Sequence, residues 1–263
     1  MKNSLILLIA IGGFLVHSCT SESDTVPKAE RDLLQLKTYI LESPEQEMAM
    51  DQYLENAYLP ALHRAGIASV GVFKPRDGEA DAHKKILVLI PFKSLDEFDA
   101  LDGILASDVS YQEAGKDYIQ AAHDAPAYKR IESILLKAFS ATPRLTVPDL
   151  TSPRPGRVYE LRSYQAATEH LYQRKVEMFN EGESELFIKL DFQPVFFAEV
   201  LSSHQMPHLI YMTTHADTTA QKANWDAFRD HPDWNEMKVL ERYQNTVSHI
   251  DKYLLYPTEY SDY

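Results

Sequence analysis

Leu36-Lys37-Thr38-Tyr39 matches Leu161-Arg162-Ser163-Tyr164 in residue type and register, and Phe98-Asp99-Ala100-Leu101 parallels Trp225-Asp226-Ala227-Phe228. Matches at equivalent places in two halves of one chain mark an internal duplication. The first two stretches alternate as strands and the second two lie on apolar helical faces, so the repeat carries a pattern of elements.

Outward from these anchors the same order recurs. In the first half, residues 33–41 read as a strand. Ser43 follows as a helix N-cap, with Pro44 at the first helical position and Gln46 completing a capping box. Met50, Leu54, Ala57, Ala61 and Ala65 share one helical face, which Pro60 should kink or split and Gly66 should end. Strands are expected at 67–73 and 86–92, a helix from Ser94 through Leu105, more helix at 111–122 and a strand at 131–139. Residues 141–155 hold four prolines without a period and read as a linker. The second half then offers a strand at 157–164, a helix at 167–180 closed by Gly182, and strands at 195–201 and 209–214. A helix at 218–229, a short one from Pro232 and a strand at 246–255 follow. Each half is β-α-β-β-α-β, the split-βαβ ferredoxin-like pattern of an α+β protein.

A four-stranded sheet with helices on one side leaves its other face to meet water or a second sheet. One alternate set is apolar: Leu34, Leu36, Thr38 and Ile40, then Tyr159, Leu161 and Ser163. The other is mixed: Gln35, Lys37 and Tyr39, then Glu160, Arg162 and Tyr164. Helices are expected over the apolar set. The mixed set, continued by Phe197, Glu199, Tyr211, Thr213 and His215, is expected to line a lumen that holds water or a ligand. A cross-strand Glu160–Arg162 pair at a wet face is the plainer alternative.

Composition narrows the function classes. The chain has 263 residues, 26 Lys+Arg against 39 Asp+Glu, a net charge of −13 and one cysteine. Nothing basic enough for a phosphate backbone is visible, so nucleic acid is not an expected partner. One cysteine excludes an intramolecular disulfide and a thiolate metal cage. Lys2 precedes an unbroken apolar run of 12 residues, Leu5 to Val16. That is short of the roughly 20 a spanning helix needs and suits a secretory signal. Leu15-Val16-His17-Ser18-Cys19 then resembles the bacterial lipobox, with Val16 at −3, Ser18 at −1 and His17 an uncommon −2 residue. The resemblance implies that Cys19 is lipidated and that the chain is exported and held to a membrane by acyl chains on its periplasmic or cell-surface side. The domains follow: signal peptide 1–18, tether 19–31, first domain 32–140, linker 141–156 and second domain 157–263.

The second half resembles the NIPSNAP family. The resemblance is carried by Val158-Tyr-Glu-Leu-Arg-Ser-Tyr164, Lys175-Val-Glu-Met-Phe-Asn-Glu-Gly-Glu183, Phe192-Gln-Pro-Val-Phe-Phe197 and Met206-Pro-His-Leu-Ile-Tyr-Met-Thr-Thr214. Trp225-Asp-Ala-Phe228, His231-Pro-Asp-Trp234, Asn245-Thr-Val-Ser248 and the tail through Tyr260-Ser-Asp262 complete it. The first half, with Tyr58-Leu-Pro-Ala-Leu-His-Arg-Ala-Gly-Ile67 and Gly71-Val-Phe73, looks like the divergent partner domain of bacterial members. The resemblance implies a dimeric α/β-barrel in which two ferredoxin-like sheets close face to face, both supplied here by one chain. It implies no agreed catalytic residues, and no cofactor is expected.

Chemistry is sparse. His204 and His208 stand four apart, but Gln205-Met206-Pro207 makes a turn of the segment, so no metal site is expected. His215 at a strand end, near Glu199 and Tyr211, suits a general base or an axial ligand; as a loop-edge histidine it would instead pack on Trp225. Trp225, Phe228 and Trp234 fall at helical spacings and read as core or lid. No nucleophile elbow, P-loop or dinucleotide fingerprint is present. The leading expectation is a lipoprotein binding a small ligand or a protein partner in the inter-sheet cleft, without assigned catalysis. The second is a cofactor-free monooxygenase-like or haem-handling enzyme, and the third an assembly module whose barrel is filled. Homo-oligomerisation stays open.

Overall fold

The computed structural model describes residues 30–263. The signal peptide, Cys19 and nearly all of the tether lie outside the described residues. Among the described residues no helix is long and apolar enough to cross a membrane.

The described residues form eight strands: β1 Leu33–Ile40, β2 Gly71–Pro75, β3 Lys85–Phe92, β4 Arg130–Ala138, β5 Val158–Gln165, β6 Phe196–Ser202, β7 His208–His215 and β8 His249–Pro257. Their antiparallel ladders close into one barrel in the order β1-β3-β2-β8-β5-β7-β6-β4. Each half contributes four neighbouring strands in the same relative order. Two short seams, β2 with β8 and β4 with β6, join the halves.

Helices pack outside. Over the first half run α1 Pro44–Tyr53, a π-helical turn at Leu54–Tyr58, α2 Leu59–Arg64, α3 Leu95–Ser107, α4 Val109–Ala114 and α5 Lys116–Ile119. Over the second run α6 Glu169–Met178, a π-helical turn at Phe179–Glu183, α7 Ser184–Lys189, α8 Thr218–Asp230 and α9 Pro232–Met237. The expected caps form: Ser43 accepts from the Gln46 amide, and Gln46 returns to the Glu42 amide. Ser94 likewise accepts from the Glu97 amide. Pro60 leaves the first helix continuous through the π-helical turn, which absorbs the missing donor. Gly66 takes a φ of 89° and ends it.

Three expectations need correction. The helix expected to end near Gly182 resumes as α7, because Leu186 and Phe187 bury against the second-half core. The strand expected from Ile67 starts only at Gly71, since the Val70 amide donates to the Asp262 carboxylate instead of a ladder. The third concerns faces. Leu34, Leu36, Tyr159 and Leu161 point into the barrel, where they pack with Phe73, Phe196, Met212 and Leu255. Lys37, Tyr39, Glu160, Arg162, Tyr164, Phe197, Glu199, Tyr211, Thr213 and His215 point outward, toward the helices. The expected lumen lining is therefore the helix-facing side. An eight-stranded barrel has an interior just wide enough for side chains to fill, so the branched apolar set goes in. The polar set goes where helices can bring it hydrogen-bond partners.

The Pro-rich segment is bound along much of its length. Thr146 donates to the Val195 carbonyl, and Arg157 donates to the carbonyls of Leu150 and Ser152. Leu145 and Leu150 pack on the barrel core from the linker side.

Candidate functional site

Alternation on β5 aims Glu160, Arg162 and Tyr164 beneath the second helix layer. The ladder sets Glu160 opposite Thr213 and Arg162 opposite Tyr211, while β6 sets Phe197 opposite Tyr211. His215 ends β7 on the same side. Seven of the ten candidate residues thus share one face. Glu199 pairs with Arg31 at its border. Lys37 and Tyr39 belong to the other half, where the Lys37 ammonium lies over the Tyr39 and Tyr58 rings.

Glu160 is the centre of this group and is fully buried. Arg162 donates to its Oε1 at 2.7 Å, and Gln221 and the Trp225 indole each donate to its Oε2 at 2.7 Å. The Arg162 guanidinium also lies 3.8 Å over the Trp225 ring. Burial pushes the Glu160 carboxyl upward, but Arg162, Gln221 and Trp225 outweigh it and hold the group below the usual carboxylate range. His215 accepts from Asn224 at Nδ1 (3.2 Å), which assigns the proton to Nε2. Nε2 sits 3.9 Å from Glu160 and has no hydrogen-bond partner. Burial lowers the imidazole to about 4, with Glu160 opposing, so it is neutral at pH 7. Phe179, Phe187, Phe192, Phe197, Trp225 and Phe228 fill the space around these groups. This is an ion pair inside an aromatic core, and its carboxylate is already committed. Haem does not fit here: Phe192 stands edge-on to His215 at 5.2 Å, where a porphyrin would have to lie.

Open space lies on the other side of the sheet, at one end of the barrel. A cavity of about 80 Å³ has an apolar floor of Leu36, Leu87, Ile134, Leu161 and Ile210. Its rim is polar, with Thr38, Lys85, Glu132, Ser163, Asp251 and Tyr253 from five strands, and His204, Gln205 and His208 on and beside the β6–β7 hairpin. His208 is buried, bonded through Nδ1 to Ser163 (2.8 Å) and through Nε2 to Ser203 (2.6 Å), so it ties that hairpin to β5. Burial, then His204, lower its pKa to about 4. Asp251 accepts from Gln165 at 3.0 Å, and Lys85 pairs with Asp81 at 2.8 Å. The four-residue spacing of His204 and His208 therefore does mark a site wall. Among the described residues no group of three His, Cys, Asp or Glu could hold a metal. The signal that could have located this mouth is the change along each inward set from leucine to Thr38 and Ser163.

Comparison with known proteins agrees with this architecture. No curated protein matches the sequence. By structure, the chain is similar to a candidate monooxygenase from Lactobacillus acidophilus NCFM, with a TM-score of 0.57 at 9% identity over 87% of this chain and 94% of that one. A candidate monooxygenase from Fusobacterium nucleatum gives 0.55 at 7% over 87% and 93%. An anthrone oxidase-like protein gives 0.52 at 11% over 88% and 93%. At these identities the likeness is one of fold, the dimeric α/β-barrel. The NIPSNAP family model matches residues 159–262. The half of the barrel that holds β5 to β8 and the Glu160 core is, accordingly, a NIPSNAP domain.

Proposed function

We propose that this protein is an exported lipoprotein, anchored through Cys19, whose barrel binds a small amphipathic molecule at its polar mouth. On this reading residues 32–140 and 157–263 are two tandem ferredoxin-like units that close one barrel. The observation that carries the proposal is the 80 Å³ cavity with an apolar floor and a rim bearing both charges. Small-molecule sites usually span about 300–1,000 Å³, and a void of about 150 Å³ takes benzene. The ligand is then a short aliphatic group of a few carbons seated on Leu161 and Ile210, with its polar end at the rim. Its polar end meets Glu132 and His204, two ionisable groups of the rim. Oxygenation, the chemistry named for the candidate monooxygenases of like fold, finds less support, since His208 has both ring nitrogens engaged by serines.

Native mass spectrometry of the protein without its lipid tests the reading. A small molecule should co-purify, and Leu161→Trp, which fills the floor, should abolish it while the fold is kept. Retention of the molecule by that variant, or its absence from the wild-type protein together with no chemical-shift change at Leu161 in a screen of short-chain acids and amines, would sink the idea. Cys19→Ser should move the protein from the membrane fraction to the soluble one.

A further inference from the structure

Between the first-half sheet and its helices, six tyrosines form one connected network: Tyr39, Tyr53, Tyr58, Tyr111, Tyr118 and Tyr128. Aromatic pairs in proteins usually hold centroids about 4.5–7 Å apart. Tyr118–Tyr128 at 5.7 Å and Tyr53–Tyr111 at 6.2 Å, both inclined, obey this. Tyr53 and Tyr118 do not: their rings are parallel within 8° and their centroids are 3.6 Å apart. Tyr53 ends α1 and Tyr118 belongs to α5, so the stack bridges two separate helices. Both rings line a surface groove of about 380 Å³ with Gln52, Asn56 and Asp117. The Tyr53 hydroxyl lies 2.8 Å from the Tyr111 hydroxyl. Burial pushes both phenols of the stack upward, so each is a neutral phenol at pH 7.

We propose that Tyr53 and Tyr118 are an oxidative modification site, which two equivalents of a one-electron oxidant convert to an intramolecular dityrosine. Each phenol gives one electron to one equivalent of oxidant and loses its hydroxyl proton, that of Tyr53 passing first to the neighbouring Tyr111 hydroxyl, and both protons end in solvent. The two phenoxyl radicals join by one carbon–carbon bond between ring positions ortho to oxygen. The two displaced ring hydrogens move to the oxygens and restore both phenols. The net change is two electrons and two protons lost from the protein, and two oxidant molecules reduced by one electron each. The stack selects this pair because carbon–carbon coupling needs ring carbons in contact. The inclined neighbours Tyr111 and Tyr128 can pass the radical on, but their rings stand too far away to bond. The product staples α1 to α5 and constrains the unfolded chain as a disulfide of similar span does.

The test is photo-oxidation of the full protein with a ruthenium tris-bipyridyl sensitiser and persulfate, followed by peptide mapping. The expected product is a monomer, two hydrogen atoms lighter, with the Tyr53 peptide joined to the Tyr118 peptide and dityrosine fluorescence. Tyr53→Phe and Tyr118→Phe should each lose that product, and Tyr128→Phe should keep it. Absence of dityrosine in the wild-type protein, a cross-link between other tyrosines, a product formed only between chains, or its survival in Tyr118→Phe each overturns the proposal.

Discussion

Glu160 shows how one residue serves a fold while looking like chemistry. Its fully buried carboxylate accepts from Arg162, Gln221 and Trp225, so removing it strands a guanidinium and an indole N–H. Breaking a buried pair in this way costs about 3–5 kcal/mol. Glu160→Ala should therefore shift the urea midpoint strongly, and a shift no larger than that of a surface substitution would refute the role. His208 and His215 set a second expectation. Both are buried and held to about 4, against the ordinary histidine value near 6.5. Below about pH 6.5 the unfolded chain takes up protons that the folded one refuses, so stability is full above that pH and falls as the pH drops toward 4. Each histidine contributes a slope of up to about 1.4 kcal/mol per pH unit. Urea midpoints measured from pH 7 to 5, above the carboxylate range, should fall steadily, and His208→Gln should reduce the slope by roughly half by the same linkage.

At the scale of elements, local signals were readable where the cause was local. Ser43 and Ser94 cap as expected because a cap depends on a hydroxyl and the next turn. The resumption of helix at α7 and the late start of β2 were not readable, since they depend on the second-half core and on Asp262. Strand β2 carries a further constraint. A Cβ on Gly71 would overlap the ring of Phe73, which is fully buried in the barrel and cannot swing away. Gly71→Ala should destabilise by about 1–3 kcal/mol, the range for overpacking a core. Chemical denaturation checks this, and Gly71→Ala with Phe73→Leu should recover part of the loss.

For the whole molecule, the decisive feature is a core that neither half owns. Leu34, Phe73 and Leu89 come from the first half and Tyr159, Phe196 and Met212 from the second, and all pack in one lumen. The seams that join the halves are short, with three residue pairs between β2 and β8 and four between β4 and β6. Shared burial therefore couples the halves more than hydrogen bonding does. A fragment of residues 157–263 should expose that apolar face and self-associate through the same edges, as sedimentation velocity would show. A monomeric, cooperatively folded fragment would contradict this.

The recurring order of elements and the family resemblance of the second half followed from sequence alone, because periodicity, caps and matched segments are written within a few turns of chain. Alternation also separated the two faces of each sheet correctly: Glu160, Arg162 and Tyr164 do lie together, apart from Tyr159, Leu161 and Ser163. What alternation lacks is a sign, for nothing in it says which face turns inward. Closure of eight strands around a narrow lumen, and helices able to offer Gln221 and Trp225 to a buried carboxylate, supplied that sign.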